Sequence, residues 1–168
     1  DETTTMCLIP MVAKALKIPV IAAGGIGTGR SMYAALALGA DAVQIGSRFV
    51  ASEESSAHQA FKNTVVEIQE GATQLTLKEL APVRLVKNKF YQDVAEAYAN
   101  CATKEDLIKV LGRARAKKGM FEGDLEEGEL EIGQISGLID EIKPAGEIVK
   151  EIISEFKSVQ SEMTAFDL

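Results

Sequence analysis

Two glycine turns carry the pattern in this sequence that could do chemistry. Ala23-Gly24-Gly25 ends the apolar stretch "IPVIAA", and Gly46-Ser47 ends the stretch "ADAVQI". A glycine just past a buried strand lets the backbone come close to an anion with its N–H groups unobstructed. Ser47 adds a hydroxyl donor. Charge-assisted hydrogen bonds contribute about 1.5–3 kcal/mol each, so three or four supply much of the roughly 8 kcal/mol of micromolar binding. The run "GGIGTG" has the wrong register for a dinucleotide fingerprint, and no Gly-Lys-Ser/Thr follows to make a P-loop. A phosphate site beyond the last two strands of a (β/α)8 barrel fits both turns.

The remaining reactive residue types give weaker signals. His58 is the sole histidine. It sits in the polar stretch "SSAHQ" with no second group spaced to orient it, which reads as a structural or solvated role. Arg113, Arg115, Lys117 and Lys118 form a basic cluster, read as a solvated helix face or, more sharply, as a docking patch for an acidic carrier protein. The acidic run 124–131 lacks calcium-loop spacing and any neighbouring His or Cys, so no metal is expected. Phe90 and Tyr91 read as core or edge aromatics. Cys7 and Cys101 form no CxxC and suit two free thiols in a reducing cytoplasm.

The elements that must position the turns follow from periodicity. Residues 3–17 place apolar side chains at helical spacing, with Thr3, Thr4 and Thr5 as caps and Pro10 as a kink or late start. "IPVIAA" and "ADAVQIGS" lack polar alternation, as strands buried on both faces of a parallel sheet do. The Ala-rich stretch between them, closed by Gly39, completes a βαβ unit. A helix is expected from about Ser55 with capping groups from residues 52–56. Residues 73–92 carry no clear assignment. Helical pieces follow to residue 118, with Thr103 capping one of them. The glycine-rich stretch 119–137 reads as a loop entering a helix. Pro144 then opens a last helix with an apolar stripe at Ile148, Ile152 and Phe156, flanked by Val149 and Ile153, and residues 161–168 read as a frayed tail.

The chain has 168 residues and a formal net charge of −7, enough for a real core and unsuited to general binding of nucleic acid or anionic membrane. No apolar run approaches the roughly 20 residues of a membrane span, and no signal-peptide pattern opens the chain. The first residues, "DETTTM", read as the start of a piece of something longer.

The segment from "TTTMCLIPMVAKALKIPVIAAGGIGTGR" through "SEESSAH" resembles the C-terminal part of the nitronate monooxygenase (2-nitropropane dioxygenase) family, and "GDLEEGELEIGQISGLIDEIKP" resembles that family's C-terminal segment. The family includes the flavin-dependent enoyl-[acyl-carrier-protein] reductases II. The resemblance implies an α/β fold: the C-terminal part of an FMN-binding (β/α)8 TIM barrel plus a helical C-terminal extension. On it, residues 1–62 would be barrel βα units, 63–120 a mainly helical insertion, and 121–168 a flavin-proximal loop and helix. Carried over by position, Ala23, Gly24 and Gly25 would hold the FMN phosphate from one turn, with Gln44, Gly46 and Ser47 on the other. Gln134, Ser136 and Gly137 fall in the segment that approaches the flavin. The family's catalytic His belongs to a Gly-Gly-His motif upstream of the "TTT" helix, so no catalytic residue is expected here and the piece alone should be inactive. The implied activity is oxidation of alkyl nitronates with O2. The alternatives are enoyl thioester reduction with NADH or NADPH, which brings acyl carrier protein as a partner, and a non-catalytic half-barrel. Non-flavin phosphate-binding barrels are a further rival. A homo-oligomer, or association with an N-terminal half, is expected of strands that need neighbours.

Overall fold

The structure is a computed structural model and describes residues 3–165. It forms two compact units, Asp1–Glu54 with Lys143–Leu168, and Ser55–Ile142.

The first unit opens with helix α1 (Thr5–Ala15). Pro10 lies inside α1, so it is not a late start, and the N-cap Thr4 makes no side-chain capping bond. Strand β1 (Ile21–Ala23), helix α2 (Gly29–Ala37) and strand β2 (Ala42–Gln44) then make the expected crossover, with β1 and β2 parallel and Ala22 opposite Val43. The expected burial of both strand faces is corrected. Ala22 is 3% exposed and packs with Ile9, Ile26, Ala35 and Ala40, whereas its neighbour Ile21 is 63% exposed. Successive strand side chains point to opposite faces, and the helices of this unit cover only the face that carries Ala22.

A short helix α3 (Ser47–Val50), which the sequence reading did not foresee, follows β2 directly. The last helix of this unit (Ala145–Thr164) packs on α2, with Pro144 at its N-cap rather than its first helical position. Gly29 makes that packing possible: a Cβ there would fall 2.3 Å from Ile152 O and Phe156 N. Tyr33 and Phe156 meet with ring centroids 5.7 Å apart, and Arg30 pairs with Glu162 at 2.8 Å. Ile148, Ile152 and Val159 are the buried residues of the stripe, Phe156 is half-buried, and Val149 and Ile153 are exposed. The helix also runs on through residues 161–164, read from sequence as frayed, because side chains near its end still bond to it or to α2. The rest of that tail, residues 166–168, lies outside the described residues.

The second unit begins with α4 (Gln59–Glu67). Its cap is His58, whose ring nitrogen accepts from the Ala60 amide at 3.1 Å, and not a serine of residues 52–56. The unassigned stretch is an antiparallel hairpin, β3 (Thr73–Thr76) and β4 (Val83–Val86), with Gln74 opposite Leu85. Pro82 sits just before β4, where it removes no ladder bond. The far edge of β4 is covered by residues 130–132, through Val86 N to Leu130 O at 2.9 Å and Ile132 N to Arg84 O at 3.2 Å. Helices α5 (Lys89–Ala99) and α6 (Lys104–Leu111) pack on this sheet around Leu77, Leu85, Phe90, Val94 and Leu107. Thr103 caps α6 as expected, in a reciprocal capping box with Asp106.

The glycine-rich stretch is more ordered than a loop. It holds a π-helical turn at Lys117–Phe121 and a 3-10 turn at Gln134–Leu138. A Cβ on Gly128 would fall 2.2 Å from the Cα of Gly119, so two of its glycines exist for close backbone packing. With the final helix labelled α7 (Ala145–Thr164), the chain is α1-β1-α2-β2-α3, then α4-β3-β4-α5-α6, then α7.

Candidate functional site

Ala23 and Gln44 are Cα partners at the carboxyl ends of β1 and β2. Gly24-Gly25 follows Ala23 directly and Gly46-Ser47 follows Gln44 after Ile45, so both turns emerge from one sheet edge. In parallel α/β sheets that edge is where ligands bind. The structure therefore brings Ala23, Gly24, Gly25, Gln44, Gly46 and Ser47 together. Gln134, Ser136 and Gly137 belong to the other unit.

The first turn needs glycine for its conformation. Gly24 and Gly25 have φ of +92° and +73°, a region that L side chains rarely adopt. The second turn differs. Gly46 has φ −101°, open to any residue, and a Cβ there would meet nothing within 4 Å, as at Gly25. Both glycines thus face open space, which an approaching anion could fill. The Thr5 hydroxyl donates to Gly24 O at 3.2 Å and fixes the first turn from α1. In the sequence Thr5 reads only as a cap, and the triple threonine is the signal available there. Below this turn a cavity of ≈ 280 Å³ is lined by Thr5, Met6, Ile9, Ile26, Ala35 and Leu38 among others.

The start of α2, a ready anion site in many folds, is already closed. The Thr28 hydroxyl accepts from Ser31 N, and the Glu155 carboxylate accepts from Gly29 N at 2.6 Å. An anion at this edge is therefore left to the two turns.

In the other unit, Gln134 and Gly137 are exposed at the 3-10 turn, while Ser136 is fully buried and its hydroxyl donates to Gly133 O at 2.8 Å. That hydroxyl serves the turn. His58 caps α4, and its ring occupies the space a Cβ on Gly123 would take. Three members of the basic cluster are paired: Arg115 with Glu127 at 3.2 Å, Lys117 with Glu122 at 2.9 Å and Lys118 with Asp124 at 3.0 Å. Arg115 also lies 4.9 Å over the Phe90 ring and donates to Leu111 O and Val110 O at the end of α6. Lys89, with Arg115, holds the Glu127 carboxyl below its ordinary range, and burial pushes Glu129 and Glu131 up. Among the described residues no helix is long and apolar enough to cross a membrane.

The nitronate monooxygenase family model matches residues 1–155. The chain belongs to the nitronate monooxygenase family. Among curated relatives, the "Probable nitronate monooxygenase" of Bacillus subtilis is 36% identical over 152 residues, which cover 89% of this chain and 42% of that protein. Its counterpart in Staphylococcus saprophyticus is 29% identical and covers 94% and 44%. Among solved structures, FabK from Thermotoga maritima is 39% identical with a TM-score of 0.88, covering 99% of this chain and 53% of that one. Nitroalkane oxidase from Streptomyces ansochromogenes is 33% identical with a TM-score of 0.74, covering 95% and 45%. The chain spans about half the length of these relatives, or a little less. Its fold is the C-terminal part of the family's (β/α)8 barrel with a helical C-terminal extension, as the resemblance implied.

Proposed function

We propose that the paired glycine turns hold the phosphate of FMN and that the whole protein is a flavin-dependent oxidoreductase. One observation carries this reading: the in-register Ala23–Gln44 pair sends two open glycine turns out of one sheet edge. The residues fit the group. Gly25 and Gly46 leave the room a phosphate needs, and no carboxylate belongs to either turn. Gln44 extends the polar rim of the second turn. FMN would supply the redox chemistry. This chain's part is to bind and orient it. His58, a helix cap, takes no part in proton transfer.

Two reactions fit the family. Oxidation of alkyl nitronates with O2 is supported by the family model and by the names of the curated relatives. Reduction of an enoyl thioester with NADH or NADPH, on a small thioester or on acyl carrier protein, is supported by the higher identity and closer superposition with FabK. That difference weighs toward the second. The intact, flavin-loaded enzyme should consume NADH with a crotonyl thioester; oxygen uptake with a nitronate, and no NADH loss, would assign the first. A purified protein without flavin absorbance would remove both.

A further inference from the structure

The second unit carries a cavity of ≈ 330 Å³ lined only by its own residues, none of them in the glycine turns. Tyr91, Ala95 and Tyr98 of α5 line one side. At i, i+4 and i+7 they share one helix face, so the small Ala95 lies between two tyrosines whose rings also pack partly on the core. Gln74 of β3, with Lys78 and Glu79 of the turn that follows, lines the other side. Between them Leu77 is buried in the left-handed region at φ +54°, a strained conformation for a leucine. It drops its own side chain into the core while Lys78 and Glu79 border the cavity.

The chemistry of this wall is that of binding. The Tyr98 hydroxyl donates to the Glu79 carboxylate, which also accepts from its own backbone amide and keeps further lone pairs for a ligand. Burial, then Glu79, pushes the Tyr98 phenol up to about 12, so it keeps its proton at neutral pH and is no acid–base group.

We propose that this cavity binds adenosine monophosphate. Bases stack on aromatic side chains, here Tyr91 or Tyr98 beside Ala95. An exposed glutamine carboxamide can pair with both the amino group and N7 of adenine. A carboxylate beside the base accepts from a ribose hydroxyl, as in dinucleotide folds, and the Lys78 ammonium suits the phosphate. The volume lies at the small end of the roughly 300–1,000 Å³ of ligand pockets, the scale of a mononucleotide. Lys78 and Glu79 offset each other in charge, so base and ribose must contribute most of the affinity.

Calorimetric or NMR titration of the intact enzyme with AMP, GMP and ribose 5-phosphate tests this. AMP should bind saturably, and the two others about tenfold more weakly or less, since each lacks the stacked adenine or its edge pairing. Ala95→Leu adds bulk at an exposed helix position and should lower AMP affinity about tenfold or more with the melting curve unchanged. Gln74→Leu should abolish the preference for AMP over GMP. Absent saturation by AMP, equal affinity for AMP and GMP or ribose 5-phosphate, or AMP binding indifferent to Ala95→Leu would each overturn the assignment. None of these readouts involves flavin, so the result stands apart from the phosphate reading above.

Discussion

The Gly29 amide donates to the Glu155 carboxylate at 2.6 Å, so α7 closes the start of α2 from 126 residues away in sequence. The same glycine lets the two helix backbones nearly touch. Gly29→Ala would drive a methyl to 2.3 Å from backbone atoms of α7, which cannot rotate aside. The expected loss is about 3 kcal/mol or more, at the upper end of overpacking costs. Glu155→Gln keeps the shape and should lose only about 1 kcal/mol. Urea denaturation of both variants checks the order; a Gly29→Ala variant as stable as wild type would mean the helices are not in this contact.

Gly46→Ala separates ligand sterics from fold sterics. With φ −101° and open space around it, alanine fits the folded chain without strain. If the phosphate lies against Gly46, the intact enzyme should lose flavin affinity while the melting temperature of its flavin-free form holds. Ser47→Asp sets a carboxylate against the phosphate and should weaken flavin binding about a hundredfold, the equivalent of two charge-assisted bonds. Circular dichroism should stay close to wild type. A full yellow spectrum in both variants would locate the phosphate elsewhere. Gly25→Val should also lose flavin, but with a stability cost of about 1–3 kcal/mol because its φ is +73°.

His58→Ala should cost about 1 kcal/mol of stability, the usual loss of an N-cap. His58→Asn restores a capping acceptor and should recover most of it. Turnover of the intact enzyme should stay near wild type in both variants, whereas a catalytic base at this position would abolish it in both. Thermal melts and steady-state kinetics distinguish the cases.

Glu129 titrates against folding. Burial, and secondarily Glu131, raises its carboxyl above the ordinary value of 4.5, with Arg115 opposing. The folded chain then holds the proton more tightly than the unfolded chain. This group's contribution to stability accordingly falls as pH rises from about 4.5 through the raised value. Glu129→Gln removes that cost and should raise the melting temperature at pH 7 by about 2 °C, with little change at pH 4. A shift of equal size at both pH values would assign the effect to packing instead of charge.

Local chemistry in the sequence determined the β1-α2-β2 crossover, the cap at Thr103 and the location of the glycine turns. Apolar runs without alternation, glycines at strand ends and a Thr-x-x-Asp box each act within a few residues of themselves, so they are legible without a partner. The βαβ rule even foretold that both turns would share one edge. Tertiary structure decided the rest. Gly29 and Gly24 look alike in the sequence, yet one exists for contact with α7 and the other for a left-handed turn, because only the fold supplies the opposing backbone. The hairpin β3–β4 escaped notice since its core side chain, Leu77, is buried from a left-handed turn and its outer edge is completed by residues 130–132. His58 became a cap, Ser136 turned inward, and three basic residues met carboxylates only once the chain had folded. Non-local hydrogen bonds and burial set those roles, and a linear pattern of residue types encodes neither.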